Sequence, residues 1–141
     1  MLAGSVAAKW PAGMASGAQG GGLRQAGRGH ARPRRGDRQA ALVVDIVSSA
    51  RGIPPRQLLG RRKSMRVAVT RQLAMYLVHT LLGRTYIETA RLFDRDRTTV
   101  SHACARIEDK REDHSAFERE VLRLERQILD RLDRDADHAQ Q

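Results

Sequence analysis

The stretch TYIETARLFDRDRTTVSHACARIEDK, residues 85–110, contains two helical patterns separated by a short charged segment. Thr85 stands three residues before Glu88, which is the spacing of a capping box. In that motif each side chain satisfies a free backbone N–H of the first helical turn, so a helix begins there. The spacing predicts a short helix over residues 86–93.

A second helix is predicted after the charged turn at residues 94–96. From residue 97 to about residue 110, three apolar side chains recur at the spacing of one helical face. They are Val100, Cys104 and Ile107. Two short helices joined by a tight turn form a helix-turn-helix, in which the first helix supports the second so that its N-terminal residues reach base edges in the major groove.

The first turns of this second helix carry polar side chains suited to reading DNA. They are Arg97, Thr98, Thr99, Ser101 and His102. Arginine can form a bidentate contact to guanine, threonine can bond to a base while its methyl group packs against thymine, and histidine can donate to a base or a phosphate. Asp96 is predicted to be the N-cap of the helix and could also accept from cytosine. Helix capping alone would also account for an aspartate followed by threonines.

The chain before this stretch also shows helical spacing. Apolar residues recur every three or four positions, and glycine or proline residues mark the ends of each pattern. The predicted helices cover residues 38–51, 56–60 and 64–82. In the longest of them the apolar residues are expected on one stripe. No segment alternates apolar and polar residues as a strand would, so the sequence predicts an all-α fold.

A last amphipathic helix is predicted from residue 115 to about residue 132, where Ser115 and Glu118 repeat the capping-box spacing. Its mixed charges and continuous apolar stripe suit either packing on the domain or pairing with another copy or another protein. The predicted organisation is a disordered basic tail rich in Gly, Ala and Arg (1–37), a helix-turn-helix domain (38–112), and a C-terminal helix with a short tail (113–141).

The charge of the chain favours an anionic partner. Lysine and arginine number 26 against 16 aspartate and glutamate, which gives a formal net charge of +10. Residues 51–83 carry seven positive side chains and no negative one, so contacts to DNA phosphates are predicted for this segment. The predicted contacts are Arg61, Arg62, Lys63, Arg66 and Arg71. A solvated basic face without a partner is the alternative.

Three segments together resemble one known family. They are RQLAMYL at residues 71–77, IETARLF at residues 87–93 and DRTTVSHAC at residues 96–104. In this order they are similar to the C-terminal DNA-binding domain of the bacterial chromosomal replication initiator DnaA, and the resemblance covers roughly residues 39–111. It implies a Trp-repressor-like helical fold that binds short boxes at a replication origin.

The resemblance also implies roles for individual residues. Arg71 corresponds to the arginine that the family inserts into the minor groove. The family's major-groove readers and neighbouring phosphate contacts correspond to Asp96, Thr98, Thr99 and His102. Two departures bear on which box is preferred: Arg97 stands where the family has histidine, and Asp94-Arg95 replaces a Gly-Gly-Arg turn.

Several other classes of function lack their characteristic residues here. The sequence has no Gly-x-x-x-x-Gly-Lys-Ser/Thr loop for nucleotide binding, and no paired carboxylates or nucleophile–base set for catalysis. Cys104 is the only cysteine, which excludes an internal disulfide and a multi-cysteine zinc site. Apolar stretches fall short of the ~20 residues that span a bilayer, and no secretory signal is recognisable. We therefore expect a cytoplasmic, nucleoid-associated protein that is not an enzyme and has no metal, nucleotide or other cofactor.

Two hypotheses of function remain. The first is sequence-specific binding of double-stranded DNA at DnaA-box-like sites, by a regulator of replication initiation or of transcription without ATPase activity. The second is an adaptor that docks on a protein partner through residues 115–132 and contacts DNA only secondarily.

Overall fold

The computed structural model describes residues 37–61 and 64–140, and none of these residues lies in a strand. The helices are α1 (Arg38–Arg51), α2 (Pro55–Leu59), α3 (Met65–Leu82), α4 (Tyr86–Phe93), α5 (Arg97–Asp113) and α6 (Ser115–Ala139). The predicted all-α fold is confirmed. Except for Asp37, the predicted N-terminal tail lies outside the described residues.

Two glycines end helices in the left-handed conformation that residues with a Cβ atom rarely adopt. Gly52, with φ of 67°, follows α1, and Gly83, with φ of 69°, follows α3. The amide of Gly83 donates to the His79 carbonyl at 3.2 Å, which satisfies a carbonyl at the end of α3. Both stops were predicted, and after them α2 and α4 fold back against α3.

Helix α3 is the central element, because α1, α4 and α5 all pack against it. Six consecutive residues, 73–78, are each at most 1% exposed, so its buried side chains point in all directions around the helix axis. The single apolar stripe predicted for this helix is therefore wrong. A helix surrounded by other helices is apolar on most of its surface.

Helix α6 differs from its prediction at both ends. It continues to Ala139, beyond the predicted end near residue 132. His114 is its N-cap, and among the described residues no side chain caps the helix, so the predicted box of Ser115 and Glu118 is wrong. Glu118 instead pairs with Arg111 of α5, at 2.6 Å between Oε1 and Nε.

One face of α6 completes the core. Its buried apolar residues, which belong to the same cluster as those of α1, α3 and α5, are Phe117, Val121, Leu124 and Ile128. This stripe packs on the domain, which was one of its two expected roles. On the outer side of α6, Leu122 and Leu129 are 44% and 45% exposed.

A buried ion network joins α3, α5 and α6. The Arg111 guanidinium donates to Glu118, to Glu125 and to the Tyr76 hydroxyl, with Nη1 at 2.9 Å from both the Glu125 carboxylate and the hydroxyl. The Tyr76 hydroxyl in turn donates to Glu108 at 2.9 Å. Helix α6 is therefore fixed to the C-terminal half of α5 by polar as well as apolar contacts.

Candidate nucleic-acid interface

The predicted helix-turn-helix forms from α4, a turn at residues 94–96, and α5. The predicted capping box is confirmed: the Thr85 hydroxyl accepts from the Glu88 amide at 3.1 Å, and the Thr85 amide donates to Glu88 Oε1 at 2.9 Å. At the other end of α4, Asp94 has a φ of 56°, a left-handed conformation. The Arg95 amide donates to the Ala90 carbonyl at 2.9 Å, which ends α4 and redirects the chain into α5.

The start of α5 presents polar side chains to solvent. Arg97, Thr98, Thr99 and His102 are exposed, and Ser101 is half-buried. Asp96 occupies the predicted N-cap position, but its side chain makes no capping hydrogen bond within the described residues. The opposite side of α5 packs inward through Val100, Ala103, Cys104 and Ile107. The predictions that the apolar face of α5 is buried and that the polar residues of its first turns face solvent are both correct.

The N-terminus of α5 adds a favourable electrostatic field. Unpaired backbone N–H groups and the helix dipole place partial positive charge at this end, which attracts phosphate. The surrounding turn supplies both signs of charge, from Arg95 and Arg97 on one hand and Asp94 and Asp96 on the other.

Arg61, at the start of the basic segment between α2 and α3, lies beside this turn. Arg61 is 78% exposed and its Nη2 lies 3.2 Å from the Asp94 carboxylate. Arg66, also exposed, donates to the Arg51 carbonyl at 2.7 Å. Arg62 and Lys63 lie outside the described residues. Of the predicted phosphate contacts that the structure describes, Arg61 projects into solvent next to the helix-turn-helix.

Arg71 is placed differently from what its resemblance-based role suggests. It is only 7% exposed, and its Nε donates to the Leu58 carbonyl at 2.6 Å. Its Nη2 donates to the carbonyls of Gln57 and Gly60, each at 3.2 Å. Burial, and then the nearby Arg95 charge, lower the pKa of Arg71. In this structure Arg71 holds the end of α2, and a minor-groove contact requires these bonds to be exchanged.

Arg95, which the sequence marks only as part of a shortened turn, makes contacts in this region that no local pattern predicts. Its Nη2 donates to the Gly60 carbonyl at 2.7 Å, and its Nη1 donates to the carbonyls of Phe93 and Asp94 at 2.9 and 3.1 Å. Burial is the main cause of its lowered pKa, and the positive charge of Arg61 adds to it. No side-chain pattern marks such a role, because its acceptors are backbone carbonyls that every residue has.

The single cysteine of the sequence lies in the core of the domain. The Cys104 thiol is buried, and this burial raises its pKa to about 12, as expected of a core cysteine. Within residues 37–61 and 64–140, no three His, Cys, Asp or Glu side chains are grouped so that they could hold a metal ion. None of the described helices is both long and apolar enough to cross a membrane.

Two helices at a three-residue turn, with the second presenting polar residues from its first turns, define a helix-turn-helix domain. Residues 40–107 match the profile of the family described as bacterial dnaA protein helix-turn-helix. This match confirms the resemblance drawn from the three sequence segments. Helix α6 lies beyond the matched residues.

The names of related proteins agree with the family whose profile matches. The chromosomal replication initiator protein DnaA of Aquifex aeolicus (strain VF5) is 31% identical over 91 residues, which are 64% of this chain and 23% of the relative. The protein of the same name from Chloroflexus aurantiacus (strain ATCC 29366 / DSM 635 / J-10-fl) is 34% identical over 90 residues, 63% of this chain and 19% of the relative. The chain thus spans about a fifth of the length of these initiators.

A solved structure is similar in fold as well as in sequence. It is the crystal structure of a DNA replication initiation factor, with a TM-score of 0.61 and 30% identity, over 66% of this chain and 29% of that chain. The all-α helix-turn-helix fold expected from the sequence is therefore shared with a replication protein.

Proposed function

We propose that this protein binds double-stranded DNA sequence-specifically, at sites similar to those of the replication initiators it resembles. The observation that carries the proposal is the start of α5, where Arg97, Thr98, Thr99 and His102 are exposed while the opposite side of the helix is anchored in the core. A helix held in this way can enter the major groove without rearrangement of its support.

Base readout is assigned to the exposed residues of α5. Arg97 suits a bidentate contact to guanine, and Thr99 suits a contact to a base or to a thymine methyl group. Asp96, Thr98, Ser101 and His102 complete the proposed surface. The lack of a capping bond leaves the Asp96 carboxylate able to accept from a base or to repel a nearby phosphate.

Phosphate contacts are assigned to the segment that joins α2 and α3. Arg61 projects into solvent beside the turn, and Arg62, Lys63 and Arg66 follow it in sequence. Arg71 remains a candidate for the minor groove only if its carbonyl bonds are exchanged on binding. Such contacts position the protein on the duplex and make its affinity depend on salt.

The biological role we propose is regulation of replication initiation by occupying initiator sites, or regulation of transcription from related sites. The relatives are named as chromosomal replication initiators. The 141 residues contain no phosphate-cradling Gly-x-x-x-x-Gly-Lys-Ser/Thr loop, so the proposed activity is DNA binding without nucleotide hydrolysis.

The test is a titration of two labelled duplexes, one with an initiator-type box and one with a scrambled box, at two salt concentrations. Arg97→Ala and Thr99→Ala should each cost about 1–3 kcal/mol on the box duplex only. Arg126→Ala, which removes an exposed arginine of α6, is the control and should change neither affinity. Equal losses on both duplexes for Arg97→Ala would contradict the assignment of α5.

The phosphate-contacting segment is tested with the same duplexes. Lys63→Ala should weaken binding to both of them alike and lower the slope of log affinity against log salt by about 1. A loss confined to the box duplex would assign Lys63 to base readout instead.

A second candidate function, docking of a protein partner on α6, is favoured by the exposure of Leu122 and Leu129. These leucines lie outside the buried stripe and are exposed, so Leu122→Gln with Leu129→Gln should leave the fold and DNA binding intact. An unchanged oligomeric state and unchanged regulation in cells with this double variant would remove the support for docking.

A further inference from the structure

The Gly60 carbonyl is a shared acceptor between two parts of the proposed interface. It accepts from Arg71 Nη2 at 3.2 Å and from Arg95 Nη2 at 2.7 Å. Arg71 belongs to α3, whereas Arg95 belongs to the turn before α5. The same Arg95 guanidinium donates through Nη1 to the carbonyls of Phe93 and Asp94. Arg95 thus bridges the start of the helix-turn-helix turn to Gly60, the first residue after α2.

This arrangement places like charges close together. Arg71 and Arg95 meet at one carbonyl, and the positive charge of Arg61, which pairs with Asp94, lies near Arg95. Such a cluster is costly for the free protein, because desolvation and repulsion both disfavour charged guanidinium groups. A DNA phosphate near these side chains would offset that repulsion.

We propose that Arg95 is a positioning residue of the DNA interface: by bridging the turn to the Gly60 carbonyl, it holds Arg61 at a fixed place relative to the start of α5. Base contacts from α5 and a phosphate contact from Arg61 then form on one duplex at the same time. This inference rests on the proposed function, and it adds how its two kinds of contact are kept in register.

The bridge requires the shape of arginine. Its planar guanidinium carries two terminal nitrogens that reach acceptors on both sides, whereas the lysine ammonium is a single point of charge. Arg95→Lys therefore keeps the charge and removes the bridge. A direct contact between residue 95 and a phosphate would survive this change, because lysine also binds phosphate.

Holding Arg61 in place relative to α5 favours its phosphate contact by reducing the conformational entropy lost on binding. When Arg61 is held by its neighbours before binding, its phosphate contact does not have to pay for ordering the backbone at residue 61. Without the bridge, that ordering opposes the contact. We expect Arg95→Lys to lower the salt slope by about 1, the contribution of one phosphate contact, although the net charge is unchanged.

The experiment is a double-mutant cycle of Arg95→Lys and Arg61→Ala, with salt slopes measured on the scrambled duplex. In the wild-type background, Arg61→Ala should lower the slope by about 1, and in the Arg95→Lys background by about zero. Arg126→Lys is the charge-conserving control. Additive effects of the two substitutions, or an unchanged slope for Arg95→Lys, would overturn the positioning role.

The readout separates this inference from the proposed function. Wild-type protein that binds both duplexes equally refutes sequence specificity, while the cycle on the scrambled duplex still decides the role of Arg95. Absence of DNA binding by the wild type overturns both. If Arg95→Lys does not fold, as judged by far-UV circular dichroism, Arg95→Gln replaces it in the cycle. Failure of both variants to fold overturns the proposal, because Arg95 would then serve the fold itself.

Discussion

The Arg111→Met substitution probes the buried network that holds α6 against α5. The Arg111 side chain is 4% exposed, and its partners Glu125 and Glu118 are 9% and 21% exposed. Methionine fills much of the same volume without a charge. It leaves the Glu125 carboxylate buried without its cation, and it removes one partner of the Tyr76 hydroxyl.

The expected loss is large because the pair is buried. Removing one partner of a buried ion pair costs about 3–5 kcal/mol, since the remaining charge is uncompensated. Glu118 is closer to solvent, and it adds little. For a domain whose free energy of unfolding is of the order of 5–15 kcal/mol, this is a substantial fraction of the total.

The loss should depend on pH in a defined direction. Burial raises the pKa of Glu125 already in the wild type, while Arg111 opposes the rise. Without Arg111 the pKa of Glu125 rises further. A carboxyl group whose pKa is higher in the folded than in the unfolded state favours folding below the unfolded pKa, and this benefit is lost as pH rises through the folded pKa. The defect of Arg111→Met should therefore be smaller at pH 5 than at pH 7.5.

Urea denaturation followed by far-UV circular dichroism at both pH values measures the effect. Arg51→Met is the matched control, because Arg51 pairs with Glu120 at 2.7 Å but both side chains are more exposed, at 21% and 30%. We expect the control to lose about 1 kcal/mol or less. A loss below about 1 kcal/mol for Arg111→Met at pH 7.5, or a defect that grows on acidification, would refute the reasoning.

Three further predictions concern the helix-turn-helix. Thr85→Ala removes the hydroxyl that accepts from the Glu88 amide and should lower the free energy of unfolding by about 0.5–2 kcal/mol in urea titrations. An unchanged free energy of unfolding would mean that the capping box of Thr85 and Glu88 does not form in solution. Asp94→Asn keeps a residue that tolerates the left-handed conformation, and it removes the carboxylate that pairs with Arg61. Affinity for any duplex should rise by up to about fivefold at low salt, with a smaller gain at high salt. Weaker binding would show that Asp94 orients Arg61. The Cys104 thiol, with a pKa raised to about 12, should react with a disulfide reagent at pH 8 far more slowly than in urea, and equal rates would contradict its burial.

Local signals in the sequence were sufficient for most of the helices. The capping box of Thr85 and Glu88 and the stops at Gly52 and Gly83 depend on residues a few positions apart, so the sequence contains both partners of each interaction. The inward face of α5 follows from helical periodicity alone. The resemblance to the DnaA family rests on three segments that match together, and the family profile matches the same region, residues 40–107.

Local spacing gave a wrong prediction where a side chain forms a stronger interaction with a residue of another helix. Ser115 and Glu118 have the spacing of a capping box, yet Glu118 pairs with Arg111, because a buried guanidinium offers a charged partner and an exposed backbone N–H can bond to water. Helix α3 is buried beyond one stripe because of the helices that happen to surround it. The partner of Glu118 lies in another helix, so the spacing within α6 does not reveal it.

The sequence by itself determined the helices, the helix-turn-helix and which polar residues begin its second helix, because these depend on short-range spacing. Only the tertiary structure decided what the arginines do. Arg71 and Arg95 both bond to the Gly60 carbonyl, across 11 and 35 positions of the chain. Every residue carries such a carbonyl, so no side-chain pattern marks which of them an arginine will meet, and the answer depends on how the helices pack.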